Sequence, residues 1–274
     1  VETVFVWASS NTSVGTVNAT GFFETLAVGT TDVTATAGGI TGAATVTVAA
    51  ATAAIEWAPY VTGTTTTTAT IHWRTDLPSN GSVEYADETY YAANGGYEHT
   101  IDDPSVTDLH HVDLAGLAPG TRYHYHVVAE GTATGDRTFS TFPESGEFTF
   151  IVYGDTQESQ SFTQLERHSL VAERIAAEEP LFVLHLGDTV NMVDDAAEWE
   201  RFFEAGDPVF ANTSFFPALG NHEENSSAYY DAFGMPEWYS FDCAGAHVAV
   251  LDSNTWIGDR MDDETAWLEA DLAG

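Results

Sequence analysis

Lysine is absent from the 274 residues, and the only side chains with a permanent positive charge are seven arginines. Against them stand 42 aspartates and glutamates, for a net charge of −35. Such a surface repels nucleic acid and anionic membrane, which excludes the polyanion-binding classes. The acidic residues are spread over every segment, and the chain keeps 12% aromatics and clear strand patterns, so it is not an acidic disordered protein. Dispersed carboxylates without lysine fit a salt-adapted protein, because in roughly 1 M salt the Debye length shrinks to about 3 Å and self-repulsion is screened. An ordinary acidic secreted protein is the alternative.

Cysteine occurs once, at Cys243, so no disulfide can form within the chain and the redox compartment leaves no trace. That residue reads as a small buried hydrophobe. No apolar run approaches the roughly 18 residues of a membrane span, and Val1 opens the chain without a charged-then-apolar leader. The expectation is an extracellular or cell-surface protein that does not insert into a membrane, its leader removed or the chain a fragment. With 43% hydrophobic residues over this length, two or three ordinary cores are expected.

What the sequence does hold is a thrice-repeated pattern. Apolar runs Phe148 to Tyr153, Leu181 to Leu186 and Phe215 to Leu219 are followed by Gly154-Asp155, Gly187-Asp188 and Gly220-Asn221-His222-Glu223. In open α/β sheets the carboxyl ends of strands are where ligands bind, so the pattern delivers metal-ligating side chains to one sheet edge. Carboxylate, amide and imidazole donors suit hard or borderline divalent ions. A single Gly-Asp after a strand is ordinary turn chemistry; three in order, with Asn-His-Glu, predict a metal site. His185 reads as a buried histidine, and Glu223 and Glu224 as supporting or solvated carboxylates.

The first fifty residues alternate in Thr, Val and Ala, with strands such as Thr31 to Thr36 and Ala43 to Val48 around Gly38-Gly39 and Gly42. Trp7-Ala8-Ser9-Ser10-Asn11, Val14-Gly15-Thr16-Val17 and Ala27 to Thr36 resemble the bacterial immunoglobulin-like group 2 family, with only the later strands of that sandwich present. After the Ala/Thr-rich linker Ala49 to Ala54, strands are predicted at Ala69 to Trp73, Ser82 to Tyr85, His110 to Leu114, Arg122 to Ala129 and Arg137 to Thr141, with no helical periodicity. Ile71 to Thr75, Gly81 to Tyr85 and His111 through Tyr125 resemble the fibronectin type III-like module that precedes the catalytic domain of purple acid phosphatases. Alternation puts His124 and His126 on one strand face; they, His72, His99, His110, His111 and His247 read as strand histidines without function.

From Gly146 the grammar becomes β-α-β: a helix from about Ser161 to Glu178, capped by Ser161 with Leu165, Leu170, Val171, Ile175 and Ala176 on its apolar side, a second helix over Ala196 to Ala205, and a strand Ala246 to Asp252. The predicted fold is multidomain. A partial Ig-like domain (1–50) and a fibronectin III-like domain (55–143), both all-β sandwich modules, precede an incomplete α/β metallophosphoesterase sandwich (146–274).

Together these motifs resemble the calcineurin-like metallophosphoesterase superfamily, closest in domain order to purple acid phosphatases. The resemblance implies a dinuclear centre of divalent or trivalent ions (Fe, Mn or Zn) and hydroxide attack on the phosphorus of a small phosphoester. By it, Asp155 binds the first metal, Asp188 bridges both, Asn221 binds the second and touches phosphate, and His222 stabilises the transition state or protonates the leaving oxygen. Two positions depart from the pattern. Gln157 stands where the superfamily has His and purple acid phosphatases Gly, offering a weak amide ligand; Asn191 stands where the iron-ligating Tyr of purple enzymes belongs. Three further histidine ligands of the family lie downstream of Asn-His-Glu, and here only His247 follows His222. The expectation is a chain that stops about halfway through its catalytic domain and turns over little by itself. The rival reading is a cell-surface binding or adhesion protein with a degenerate or truncated phosphatase-like domain.

Overall fold

A computed structural model describes residues 4–254 and 260–274. The chain forms two compact units, Val1–Thr52 and Ala53–Gly274. In the first, β1 (Val6–Ser9), β4 (Gly29–Ala37) and β5 (Ile40–Val48) make an antiparallel sheet in the order β1-β4-β5, beside a small ribbon of β2 (Gly15–Val17) and β3 (Phe23–Thr25). Gly38 and Gly39, both with positive φ, turn β4 back onto β5.

The second unit opens with a β-sandwich of β6 (Ile55–Thr62), β7 (Thr68–Asp87), β8 (His99–Ala115), β9 (Arg122–Ala129), β10 (Thr132–Ala133) and β11 (Arg137–Ser140). The two strands expected at 69–73 and 82–85 are one continuous β7, whose register shifts between Arg74 and Gly81 let it pair with β6 at one end, β9 at the other and β8 along both. A helix that periodicity does not announce, α1 (Glu88–Asn94), follows β7. Asp87 caps it by accepting from the Tyr90 amide at 2.7 Å, and Gly95 in the left-handed region ends it. Local cap chemistry, too short for a periodic signal, makes this helix.

Beyond β11 the chain forms a parallel sheet in the order β12-β13-β14 from Phe150–Tyr153, Phe182–His185 and Ser214–Pro217. Helix α2 (Gln164–Ala176) follows β12 and α3 (Ala196–Phe210) follows β13. Thr163, not Ser161, caps α2 in a reciprocal box with Glu166. The expected apolar side is only partly right: Ile175 is buried, but Leu165, Leu170 and Val171 are exposed, and Gln164, His168 and Ala172 take their place inside. The Gln164 amide fixes that rotation by donating to the Thr189 carbonyl at 2.6 Å. Helix α3 runs past its stop signals, Gly206 and Pro208, to bury Val209 and Phe210. Gly206 admits the Phe210 ring, since a Cβ there would sit 2.4 Å from it. Then come α4 (Ser227–Phe233), an antiparallel hairpin of β15 (Tyr239–Cys243) and β16 (Ala246–Val250) turned by Ala244-Gly245, and α5 (Met261–Asp271). The last expected strand thus ends two residues early, at Val250. Cys243 is buried as expected, and burial pushes its thiol up to about 11.

The sandwich and the α/β layer share one aromatic core. Trp57 of β6 stacks on Phe203 of α3 with ring centroids 4.2 Å apart, and Tyr60 packs on Phe203 and Phe210. The Tyr60 hydroxyl donates to the Ala232 carbonyl, and Thr64 bonds Ser214 at 2.7 Å. Below this layer His168 faces Tyr153 of β12, His185 of β13 and Phe202 of α3.

His168 is 2% exposed and burial lowers its pKa to about 4. The unfolded chain therefore binds a proton at His168 that the folded one refuses between about pH 6.5 and 4, so stability rises with pH through that window. About 3 kcal/mol should be lost on acidification from pH 7 to 4 through this residue. Urea unfolding across that range should show a shallower pH slope in His168→Leu; equal slopes in the two proteins would refute the assignment.

Candidate metal centre

Tyr153, His185 and Pro217 are aligned neighbours at the carboxyl ends of the three parallel strands. The segments that follow bring Asp155, Asp188 and Asn221 to the same edge. Asp155 and Asp188 both adopt the left-handed region, with φ of 53° and 56°. Each such residue costs about 1 kcal/mol, and aspartate tolerates it better than most. Gly187 and Gly220 meet back to back beneath them. A Cβ on Gly187 would stand 2.3 Å from the Gly220 nitrogen, and one on Gly220 would stand 2.1 Å from the Asp188 nitrogen. Glycine at 187 and 220 is therefore a requirement of close approach between the second and third loops.

Glu223 holds the two loops in that contact. Its fully buried carboxylate accepts from the Gly220 amide at 2.7 Å and the Asp188 amide at 2.9 Å through Oε2. Through Oε1 it accepts from the Thr189 amide at 2.6 Å and the Thr189 hydroxyl at 2.5 Å. Four donors compensate the desolvated charge, as a buried carboxylate requires. Sequence reading placed Glu223 only in a supporting role; its position next to His222 was the available signal, but its burial was not legible.

The Asp188 carboxylate is half-buried and engaged at both oxygens. Oδ1 accepts from the His222 amide at 3.2 Å and Oδ2 from Gln157 Nε2 at 3.2 Å. Gln157 is pinned from its backbone too, donating to the Asp188 carbonyl at 3.0 Å, while the Asp155 amide donates to the Gly187 carbonyl at 3.2 Å. Asp155 and Asn221 face solvent. The His222 ring bonds the Asn191 carbonyl through Nδ1 at 2.8 Å. A carbonyl only accepts, so Nδ1 carries a proton and Nε2 is left for other chemistry. Asn191 is itself held by Glu198, whose Oε2 accepts from the Asn191 and Met192 amides at 2.5 and 2.9 Å.

Beneath the loops His185 bonds Thr156 Oγ1 at 3.0 Å, and that hydroxyl donates to the Thr189 carbonyl at 3.3 Å. Complete burial drives the His185 pKa well below the usual histidine value, so it stays a neutral strut. Asn254 closes the third loop by donating to the Gly220 carbonyl at 3.1 Å. Thr156, Thr189, Gln164, Glu198 and Asn254 escaped sequence reading because none carries a motif. Among the histidines before the α/β layer, His124 lies between Glu88 and Asp136 and His126 bonds Glu84, whereas His72 bonds Thr62 and His111. Among the described residues no three His, Cys, Asp or Glu side chains converge at ion-holding distance. What the strand edge brings together is two carboxylates with the Gln157 and Asn221 amides.

Removing the charge from Glu223 tests this frame. Glu223→Gln swaps an acceptor for an amide among four donors and should cost about 3 kcal/mol. Amide hydrogen exchange at Asp188, Thr189 and Gly220 should accelerate with it; unchanged protection would show that the loops hold without the carboxylate.

Three family models match the chain: bacterial Ig-like domain (group 2) over residues 2–48, purple acid phosphatase N-terminal domain over 58–150, and calcineurin-like phosphoesterase over 148–261. Purple acid phosphatase 22 of Arabidopsis thaliana is 27% identical over 183 residues, covering 60% of this chain and 40% of the relative. The chain thus spans about 40% of the length of that relative. Purple acid phosphatase PPD1 from yellow lupin seeds shares the fold with a TM-score of 0.62 at 16% identity, over 92% of this chain and 55% of that one. The structure of PhoD matches at 0.57 and 15% identity, over 72% and 52% of the two chains. The chain therefore carries, in order, a bacterial Ig-like domain, a purple acid phosphatase N-terminal domain and a calcineurin-like phosphoesterase domain.

Proposed function

We propose that the protein takes part in metal-dependent hydrolysis of small phosphoesters, with Asp155, Asp188, Asn221 and Gln157 holding two metal ions at the strand edge. The observation that carries this is the Glu223 clamp, which holds the second and third loops in contact with Asp188 in the left-handed region, its carboxylate bonded by Gln157 of the first loop and the His222 amide of the third. The donor set fits hard or borderline ions: carboxylates and amide oxygens, one of which, Gln157 Oε1, is buried and without a hydrogen-bond partner among the described residues. With a metal pair held by these residues, the site would gain a nucleophilic water at neutral pH and an offset for the charge on the phosphoryl oxygens.

The chain's own residues do the rest. Asp155 and Gln157 serve the first position, Asn221 the second, and Asp188 both. His222, held through Nδ1 by the Asn191 carbonyl, leaves Nε2 for the substrate, where the imidazolium form would stabilise the transition state or give its Nε2 proton to the leaving oxygen. The −35 charge and the absence of lysine support a salt-adapted, exported protein whose surface disfavours large polyanions.

Two measurements test this reading. In a protein that joins this chain to the downstream histidines the resemblance implies, metal-dependent release of p-nitrophenol from its phosphate ester should vanish in Asp188→Ala and fall about 10²- to 10⁴-fold in His222→Ala, while residues 1–274 alone should turn over little. Hydrolysis that ignores both substitutions, or none in any protein that retains all five residues, would favour the surface-binding reading. For salt adaptation, the thermal midpoint should climb as KCl is raised from about 0.1 to 2 M, since screening relieves self-repulsion; a flat or falling midpoint would contradict it.

A further inference from the structure

Resting on the reading of this chain as an exported protein, we propose that its Ig-like unit is a substrate for N-linked glycosylation, with Asn18 and Asn11 as the acceptors. The co-substrate is an activated glycosyl donor, a saccharide carried on a lipid phosphate, and a transferase is the partner that joins the two.

Transfer of a sugar to asparagine requires the triplet Asn-x-Ser/Thr, with x other than proline, on a surface loop. Five of the nine asparagines stand in such a triplet, at positions 11, 18, 80, 212 and 225, so the motif does not choose between them. The fold does.

Asn18-Ala19-Thr20 forms the tip of the hairpin between β2 and β3. The Asn18 amide closes that loop on the Phe22 carbonyl at 2.9 Å, and Gly21, with a φ of 87°, donates to the Asn18 carbonyl at 3.0 Å. Asn18 Oδ1 accepts from the Thr20 amide at 2.9 Å, the Thr20 hydroxyl at 2.7 Å and the Phe22 amide at 3.1 Å. Asn11-Thr12-Ser13, in the turn between β1 and β2, repeats the arrangement: its Oδ1 accepts from the Ser13 amide at 3.2 Å and the Ser13 hydroxyl at 2.6 Å. Both triplets are exposed throughout, and among the described residues every side-chain bond of the two asparagines is made by Oδ1. The amide is therefore held by its oxygen, with Nδ2 as the free end. Donors on Oδ1 also draw charge from the amide, which eases loss of an Nδ2 proton. In the transfer Nδ2 bonds C1 of the sugar, the bond from C1 to the phosphate oxygen breaks with its electron pair leaving on the phosphate, and one Nδ2 proton passes to a base of the transferase.

The other three triplets are closed to this chemistry. Asn80-Gly81-Ser82 runs along β7, where Gly81 and Ser82 are paired with β8 on one side and β9 on the other. Asn212 Oδ1 accepts from the Thr138 hydroxyl at 2.9 Å, and Thr213 and Ser214 after it are buried, with Ser214 bonded to Thr64 at 2.7 Å. Asn225 is engaged at both ends: Nδ2 donates to Glu237 at 3.1 Å and Oδ1 accepts from the Tyr230 hydroxyl.

The experiment is peptide mapping by mass spectrometry of the full protein purified from the cells that make it, with protein inside and outside the cell collected separately. Protein recovered outside should carry a saccharide on Asn18 and on Asn11 and none on Asn80, Asn212 or Asn225. Asn18→Gln and Thr20→Ala should each remove the Asn18 saccharide and leave the one on Asn11, while Thr20→Ser, which keeps the hydroxyl and the turn, should retain both. Bare Asn11 and Asn18 on exported protein, or a saccharide on any of the other three in their stead, overturns the proposal. Protein found only inside the cell refutes the export reading, and the acceptors are then judged by offering the purified folded chain to an oligosaccharide transferase with its lipid-linked donor. Transfer to Asn18 and Asn11 in that assay upholds them as acceptors, and no transfer to either overturns the proposal.

Discussion

The buried Glu223 carboxylate is the interaction on which the strand edge depends. Two loops must approach so closely that only glycine fits at positions 187 and 220, and one of them holds Asp188 in a left-handed conformation. Neither condition is met by local preference. A single charge that accepts from Gly220, Asp188 and Thr189 offsets both, because charge-assisted bonds in a buried setting are worth more than the strain they hold. The same carboxylate occupies the residue after His222, so the imidazole is positioned by the anchor of its neighbour.

That frame rests on the aromatic layer shared with the sandwich. Trp57 and Tyr60 of β6 pack on α3, and the Tyr60 hydroxyl reaches the last turn of α4. The sandwich is therefore part of the core that positions β14 and α3, and α3 in turn carries Glu198, which holds Asn191 under His222. A spacer module would bury nothing of the kind. The phosphoesterase layer and the domain before it are one packing problem, in line with their joint membership in a single compact unit.

What was legible in the sequence follows from how local each signal is. Three apolar runs ending in Gly-Asp or Gly-Asn specify strand, turn and polar end residue in seven or eight residues, and the structure places all three ends on one edge. The α2 rotation was not legible, because Leu165, Leu170 and Val171 look like a core stripe until Gln164 and the Thr163 capping box fix the opposite face inward. Helix α1 escaped notice because it rests on Asp87 and Gly95 alone, and α3 outran Pro208 because burying Phe210 outweighs one lost backbone bond. At the site, Asp155, Asp188, Asn221, His222 and Gln157 could be named from spacing and family likeness. The Thr156, Thr189, Glu198 and Asn254 supports could not, since they act across 29 to 34 residues of sequence or through backbone groups that carry no motif.

The central claim is that this strand edge is built to hold metal between Asp188 and its neighbours. Anomalous diffraction from crystals soaked in Mn²⁺ tests it most directly. The account predicts peaks about 2.0 to 2.4 Å from Asp188, one shared with Asp155 and Gln157 and the other with Asn221. Peaks scattered over surface carboxylates, with none at Asp188, would contradict it.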